Sequence, residues 1–313
     1  MNADFIQFSL DVIGPVMLVL VAGKTLYATG HLSDAFVAGG SRLVFNFALP
    51  ALLFISISQA DFSQAANPAL ISVGVLCTLM FFVAALLSVH MLFTCRADRG
   101  VIVQGSFRAN LGVVGLAYAV NTFAADEFAQ ASVYMGALIL VYNVLSVWVL
   151  NHYLPNRLNA LNTVFAIARN PIMLSIIAAL LFSYFNLSLP TLLQSSTEYF
   201  AQLTLPLALL CTGASIRFRG MGGQRNALLF AVISKCFLYP LFLVAVGYLV
   251  NFNQTEQLTL LFMAVAPTAA VSFIMVKSMG GNTDLAANIV AVSTIVSIPA
   301  TLVGYIGVTG MTS

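Results

Sequence analysis

Residues 68–93, PALISVGVLCTLMFFVAALLSVHMLF, pass without a single Asp, Glu, Lys or Arg. A bilayer's hydrocarbon is crossed by about 17 to 25 predominantly apolar residues in one helix, so this stretch reads as a span. Asp61 precedes it and Arg96 and Arg99 follow it, and the same polarity repeats along the chain. All but one of the 12 Lys and Arg residues fall at every second junction between apolar stretches: Lys24 and Arg42; Arg96, Arg99 and Arg108; Arg157 and Arg169; Arg217, Arg219 and Arg225; Lys277. The intervening junctions carry Asp61, Asp126, Glu127, Glu198 and Glu256 and no basic residue. This is the positive-inside pattern of a polytopic membrane protein, and it puts both termini on the outer, periplasmic side. The exception is Lys235, in the middle of an apolar stretch, where an unpaired ammonium costs at least about 2.5 to 3.5 kcal/mol.

Composition agrees: 60% of residues are hydrophobic, 7% are charged and the mean hydropathy is +0.99, far from soluble domains. The net charge of +2 reports topology and gives no reason to invoke nucleic acid. Cys77, Cys211 and Cys236 sit in apolar stretches and Cys95 at a basic junction, which argues against a disulfide framework. The N-terminus has Asp4 and Asp11 and no basic n-region, so the first apolar stretch is expected to stay as a span.

Cutting at polar junctions gives ten spans, near 5–24, 43–60, 68–93, 100–123, 128–151, 170–187, 196–216, 226–251, 257–279 and 284–309, with the fourth and ninth the least uniformly apolar. The longest connection, 152–169, divides them into five (1–151) and five (170–313). Leu154, Leu158, Leu161, Phe165 and Ala168 recur there at helical spacing, as in a helix lying on the cytoplasmic interface, although an ordinary linker fits equally. Phe47-Ala48-Leu49-Pro50-Ala51-Leu52-Leu53 answers to Leu203-Thr204-Leu205-Pro206-Leu207-Ala208-Leu209, and the same offset brings the fourth span onto the ninth. Five is odd, so the second half enters from the opposite side. The expected fold is all-α: ten transmembrane helices in two inverted five-helix repeats, an architecture of secondary transporters.

Two spans carry helix-weakening chemistry. In the fourth, Gln104, Gly105, Ser106, Arg108, Asn110, Gly112 and Gly115 crowd together; in the ninth, Pro267 removes a backbone donor and Thr268 and Ser272 follow. Interrupted helices at matching positions of two halves point to a binding site, and a freed helix N-terminus suits a carboxylate. A proline kink and a glycine packing face are the alternatives.

These residues resemble the auxin efflux carrier family, which includes plant auxin exporters and bacterial carriers annotated for malonate or malate. The likeness rests on Arg42-Leu43-Val44-Phe45 leading to Leu49-Pro50, on Arg169-Asn170-Pro171, and on Asn110 with Gly115, similar to the plant motif Pro-Asn-x4-Gly-Ile-Pro. It also rests on Pro267 with Lys277, and on Lys235 with Pro240, where plant members carry a basic residue. Ala109, Ala117 and Ser272 stand where plant members have prolines, so plant substrate preference does not follow. The resemblance implies a scaffold half and a transport half, substrate held where the fourth and ninth helices cross, elevator-type motion and a homodimer.

Asn110, flanked by Leu111 and Gly112, is the first candidate for substrate, since its amide can donate to a carboxylate; tying two helices is the rival role. With it stand Pro267, Thr268 and Ser272, and more weakly Asn46 and Asn143, which helix-to-helix hydrogen bonds also explain. Lys235 either neutralises a bound anion, stands in for a cation at the half-helix ends, or snorkels to the interface. Arg108, Asp11 and Lys277 are gating or coupling candidates. Arg108 guides acidic substrate or holds register; Asp11 carries a coupling proton or faces water; Lys277 reads more as a topology anchor.

A cation–proton antiporter needs a midplane carboxylate, and spans three to nine offer none. His31, His90 and His152 lie near span ends, with no metal cluster, P-loop or nucleophile–base pair, so no enzyme, metal or cofactor is expected. The polar residues form one compact cluster where a channel wants a continuous lining. The expected activity is transport of a small mono- or dicarboxylate across a bacterial inner membrane. A coupling proton or sodium ion is open, and a bile-acid/sodium-type symporter, a sodium/proton-type antiporter or a channel is the alternative.

Overall fold

The computed structural model describes residues 9–59, 67–154, 171–216 and 224–312. The interfacial-helix reading of 152–169 lies, beyond Leu154, outside the described residues. Among these the structure is helical, with a lone bridge between Ala109 and Thr268. We label the helices α1 (Gly14–Ala28), α2 (Asp34–Ser58), α3 (Pro68–Leu92), α4 (Arg96–Phe107), α5 (Leu111–Thr122), α6 (Ala125–Tyr153), α7 (Pro171–Tyr184), α8 (Thr191–Ser215), α9 (Arg225–Leu249), α10 (Gln254–Val265), α11 (Ala270–Ser278) and α12 (Thr283–Thr312). Six of them, α1 counted from Asp11 with the π turn that leads into it, α2, α3, α6, α9 and α12, are long and apolar enough to cross a membrane, and α5 and α7 are shorter apolar helices. The protein is a multi-pass membrane protein.

Local chemistry sets the helix ends and two internal distortions. Ser33 caps α2 by accepting the Phe36 N–H at 3.1 Å, and Asn253 with Glu256 forms a reciprocal capping box on α10. Inside α2 and α9 a single π turn interrupts the α-helix, at Val44–Ala48 and Ser234–Leu238. Each turn ends one residue before Leu49-Pro50 or Tyr239-Pro240. Proline lacks an N–H and its ring presses on the carbonyl four residues earlier, which here belongs to Asn46 or Cys236. Widening the helix by one residue relieves both problems. The Leu49 N–H accordingly donates to Val44 O and the Tyr239 N–H to Ser234 O, five residues back in each case.

The described residues form two compact units, each drawing on both halves of the chain. The first takes segments within 1–68, 112–137 and 164–215, and the second within 69–111, 138–163 and 216–313. In the first unit α1 packs on α8, and α2 on α7 and α8. Glycines make the α1–α8 seam possible: a Cβ on Gly23 would lie 2.2 Å from the Leu210 carbonyl oxygen, and one on Gly213 would lie 2.0 Å from that of Leu20. Side chains are absent so that the two backbones touch, the usual device of membrane helix pairs. Phe54 of α2 meets Phe182 of α7 edge-on at 5.2 Å.

In the second unit α4 is buried from Gly100 to Phe107, and α10 from Gln257 to Val265. These helices are too polar for lipid, and protein surrounds them instead, as non-apolar segments at membrane depth require. The outward faces belong to α3 and α9, whose exposed Leu76, Met80, Leu87 and Leu241 suit hydrocarbon.

Candidate functional site

Both buried helices stop inside the second unit. Ala266, pushed out of the helical region by the proline that follows it, has φ −49° and ψ 135°; Arg108, after α4, has φ −73° and ψ 103°. Residues 108–110 and 267–269 then pass each other antiparallel. The Asn110 N–H donates to the Pro267 carbonyl at 2.7 Å and the Ala269 N–H to the Arg108 carbonyl at 3.2 Å. Each extended segment satisfies backbone groups that the other's broken helix has released.

A helix end leaves carbonyls without partners and a helix start leaves N–H groups without partners. At this site the two kinds are treated differently. The carbonyls are met from within the unit: Thr268 Oγ1 donates to Gly105 O at 2.9 Å, and the Lys235 Nζ donates to Ala264 O. In an unbroken helix Ala264 O would accept the Thr268 N–H, which here donates to Ser293 Oγ at 3.0 Å. An ammonium at the end of α10 also faces the negative pole of its macrodipole. The N–H groups are not met in this way. Helix α11 begins with no side-chain cap, so Ala270 and Val271 present first-turn donors. Ser272, one position on, buries its hydroxyl with no hydrogen-bond partner. Asn110, 7% exposed as a residue, makes no side-chain hydrogen bond among the described residues.

Two cations are buried in the same unit. Lys235 is 0% exposed, in the π turn of α9, with its ammonium 5.2 Å from the centre of the Tyr239 ring. Arg108 is 6% exposed; its Nη1 donates to the Tyr142 carbonyl at 3.3 Å and its Nη2 to Asn143 Oδ1 at 2.8 Å. Neither forms an ion pair among the described residues. The site therefore offers neutral and positive donors with no carboxylate beside them among the described residues, an arrangement with the chemistry to accept an anion.

Of the residues expected from sequence, Asn110, Leu111, Pro267, Thr268, Ser272, Lys235, Arg108 and Asn143 fall in the second unit, and Gly112, Asn46 and Asp11 in the first. Thr268 is occupied in holding Gly105, and Asn143 in holding Arg108. The Arg108 guanidinium is turned onto α6, which favours its register role. Asn46 lies exposed in the π turn of α2, and Asp11 and Lys277 are exposed. Sequence reasoning missed Thr78, Tyr239 and Ser293. Tyr239 carried one readable signal, its place between Lys235 and Pro240, four residues after one and one before the other; Thr78 and Ser293 carried none.

Residues 157–305 match the family described as membrane transport protein. A protein of Methanothermobacter thermautotrophicus described as an uncharacterized transporter is 22% identical over 302 residues, covering 93% of this chain and 95% of its own length. Buried polar helices broken at a donor-rich site, similarity to the membrane transport protein family over residues 157–305, and similarity to a transporter along nearly the whole chain together support a transporter.

Proposed function

We propose that this protein is a secondary carrier of a small organic anion, a mono- or dicarboxylate such as malonate or malate, in a bacterial inner membrane with both termini outside. One observation carries the reading: where the two broken helices meet, the carbonyl ends are held by Lys235 and Thr268 while the N–H end of α11, Ser272 and Asn110 stand open. A carboxylate placed there accepts from the Asn110 amide, the Ser272 hydroxyl and the first N–H groups of α11, with Lys235 adding positive potential. The ten-span inverted repeat is supported by exchange between halves: the first helix of each half packs on the second helix of the other, α1 on α8 and α7 on α2, and the fourth span of each half is the interrupted one. Elevator-type alternating access is supported by both interruptions falling in one unit, the one expected to travel with the substrate. Since Lys235 holds the Ala264 carbonyl that a metal cation would want, a proton moving with the anion is the favoured coupling ion.

Uptake of labelled malonate into proteoliposomes, competed by unlabelled acids under imposed proton or sodium gradients, tests this. Saturable uptake that is stimulated by a proton gradient and weakened in Asn110→Ala and Ser272→Ala is expected. No uptake of any acid, with an ion current instead, overturns it.

A further inference from the structure

Lys235 rests on more than its carbonyl partner. The Tyr239 hydroxyl, fully buried, lies 2.7 Å from Thr78 Oγ1 on α3 and 2.8 Å from the Tyr142 hydroxyl on α6. Thr78 Oγ1 donates to the Gly74 carbonyl at 2.7 Å, which fixes the direction of the whole chain: Tyr142 donates to Tyr239, Tyr239 to Thr78, and Thr78 to Gly74. Each hydroxyl hydrogen has one acceptor, and the series ends on a backbone oxygen. The Tyr239 ring is pinned on one side by Phe81, 4.9 Å away at 49°, and carries the Lys235 ammonium 5.2 Å from its centre. Backbone geometry supports the same pose, because the Tyr239 N–H closes the π turn that contains Lys235. The network also reaches the second cation, since the Tyr142 carbonyl accepts from Arg108 Nη1.

Resting on the carrier reading for the role of the lysine, we infer that Tyr239 is a positioning residue for substrate binding: the Tyr142–Tyr239–Thr78 hydroxyl chain locks its ring as the shelf that aims the Lys235 ammonium at the end of α10. Fixing the ring removes its freedom to swing, and the lysine on it then has one direction in which its charge can point. A fully satisfied polar chain of this kind orients more than it stabilises, and an aromatic face holds a desolvated ammonium without introducing a carboxylate that would repel the substrate.

The test is a double-mutant cycle of Tyr239→Phe with Lys235→Met, with Thr78→Val as a second way to cut the chain. Each protein is assayed for uptake of the acid that the wild type carries, and for melting temperature without substrate. In wild-type background Tyr239→Phe and Thr78→Val are expected to raise KM by about three- to tenfold, a lost hydrogen bond's worth, with maximal rate changed less than twofold. In the Lys235→Met background Tyr239→Phe adds no further change in KM. The melting temperatures of the cycle are non-additive as well, which reads the Tyr239–Lys235 coupling even if the wild type carries no acid. Absence of uptake by the wild type sinks the carrier reading alone. Additive melting temperatures, or a wild-type KM retained by folded Tyr239→Phe and Thr78→Val, sink the positioning role.

Discussion

Replacing Lys235 with Met separates function from stability at one position. The substitution leaves an unbranched side chain one atom shorter and removes its charge. Against the fold, it takes away the donor to the Ala264 carbonyl and the cation over Tyr239. A buried acceptor left unsatisfied costs about 1 to 3 kcal/mol, and a desolvated cation–π contact is worth about 0.5 to 2 kcal/mol. In favour of the fold, it removes an ammonium from the interior of a membrane protein, worth about 2.5 to 3.5 kcal/mol on insertion scales. The terms cancel to within about 2.5 kcal/mol. A lysine in the membrane interior that contributes so little net stability reads as a functional group. The expected result is a melting temperature in detergent within a few degrees of wild type together with uptake reduced at least about tenfold, a loss of one charge-assisted contact or more. Thermal unfolding followed by tryptophan fluorescence and proteoliposome uptake, both on the same preparation, measure the two. Wild-type uptake by the Met variant would refute the argument, and so would a variant too unstable to purify, since the lysine would then be structural.

Three further outcomes follow from contacts elsewhere. Gly213→Ala sets a methyl 2.0 Å from the Leu20 carbonyl oxygen, so α1 and α8 must separate; a loss of about 1 to 3 kcal/mol is expected, read as a lowered melting temperature, with Gly39→Ala, where nothing lies within 4 Å, as the unaffected control. Pro240→Ala restores a backbone donor and removes the reason for the π turn, so α9 is expected to regularise, rotate Lys235 off Ala264 O and raise KM; an unchanged KM contradicts the origin assigned to that turn. Arg108→Lys keeps the charge but not the fork that reaches the Tyr142 carbonyl and Asn143 Oδ1 together. It is expected to lower thermal stability while leaving substrate selectivity intact, checked by competition profiles.

What the sequence made legible depended on the range of the physics. The apolar stretch 68–93 is α3 almost to the residue, because helix formation in lipid is decided by local composition. Pro267 marked the stop of α10 for the same reason, since a missing N–H is a local defect. The fourth span's stop at Phe107 was signalled only by crowded glycines and polar residues. The pairing of 108–110 with 267–269, and the donation from Thr268 to Gly105 across 163 residues, are long-range contacts with no pattern in either segment alone. Lys235 stood out as a charge in apolar surroundings, but its shelf was fainter: Tyr239 was marked only by its place between Lys235 and Pro240, and Thr78 reads as a hydroxyl bonding back to its own turn. The π turns of α2 and α9 were hidden too, although Leu49-Pro50 and Tyr239-Pro240 both supply the cause.

The sign of the charge proposed for the substrate rests on how the two broken helices are finished. Each break creates a negative end and a positive end in equal measure, so an interrupted helix by itself is indifferent between cations and anions. The indifference is lifted by side chains. Lys235 and Thr268 donate to the carbonyls of Ala264 and Gly105, which closes the very groups that would coordinate sodium. Among the described residues nothing comparable accepts from the first turn of α11, and Ser272 and Asn110 add donors there without acceptor partners of their own. A cation carrier built on the same backbone would need the reverse: an open carbonyl at Ala264 and an acidic side chain at the start of α11. The Lys235→Met protein meets half of that requirement, because it uncovers the Ala264 carbonyl while leaving the α11 donors in place. Its response to sodium is therefore diagnostic: a melting temperature raised by sodium chloride but not by choline chloride, in this variant and not in wild type, would show that the lysine occupies a cation's position.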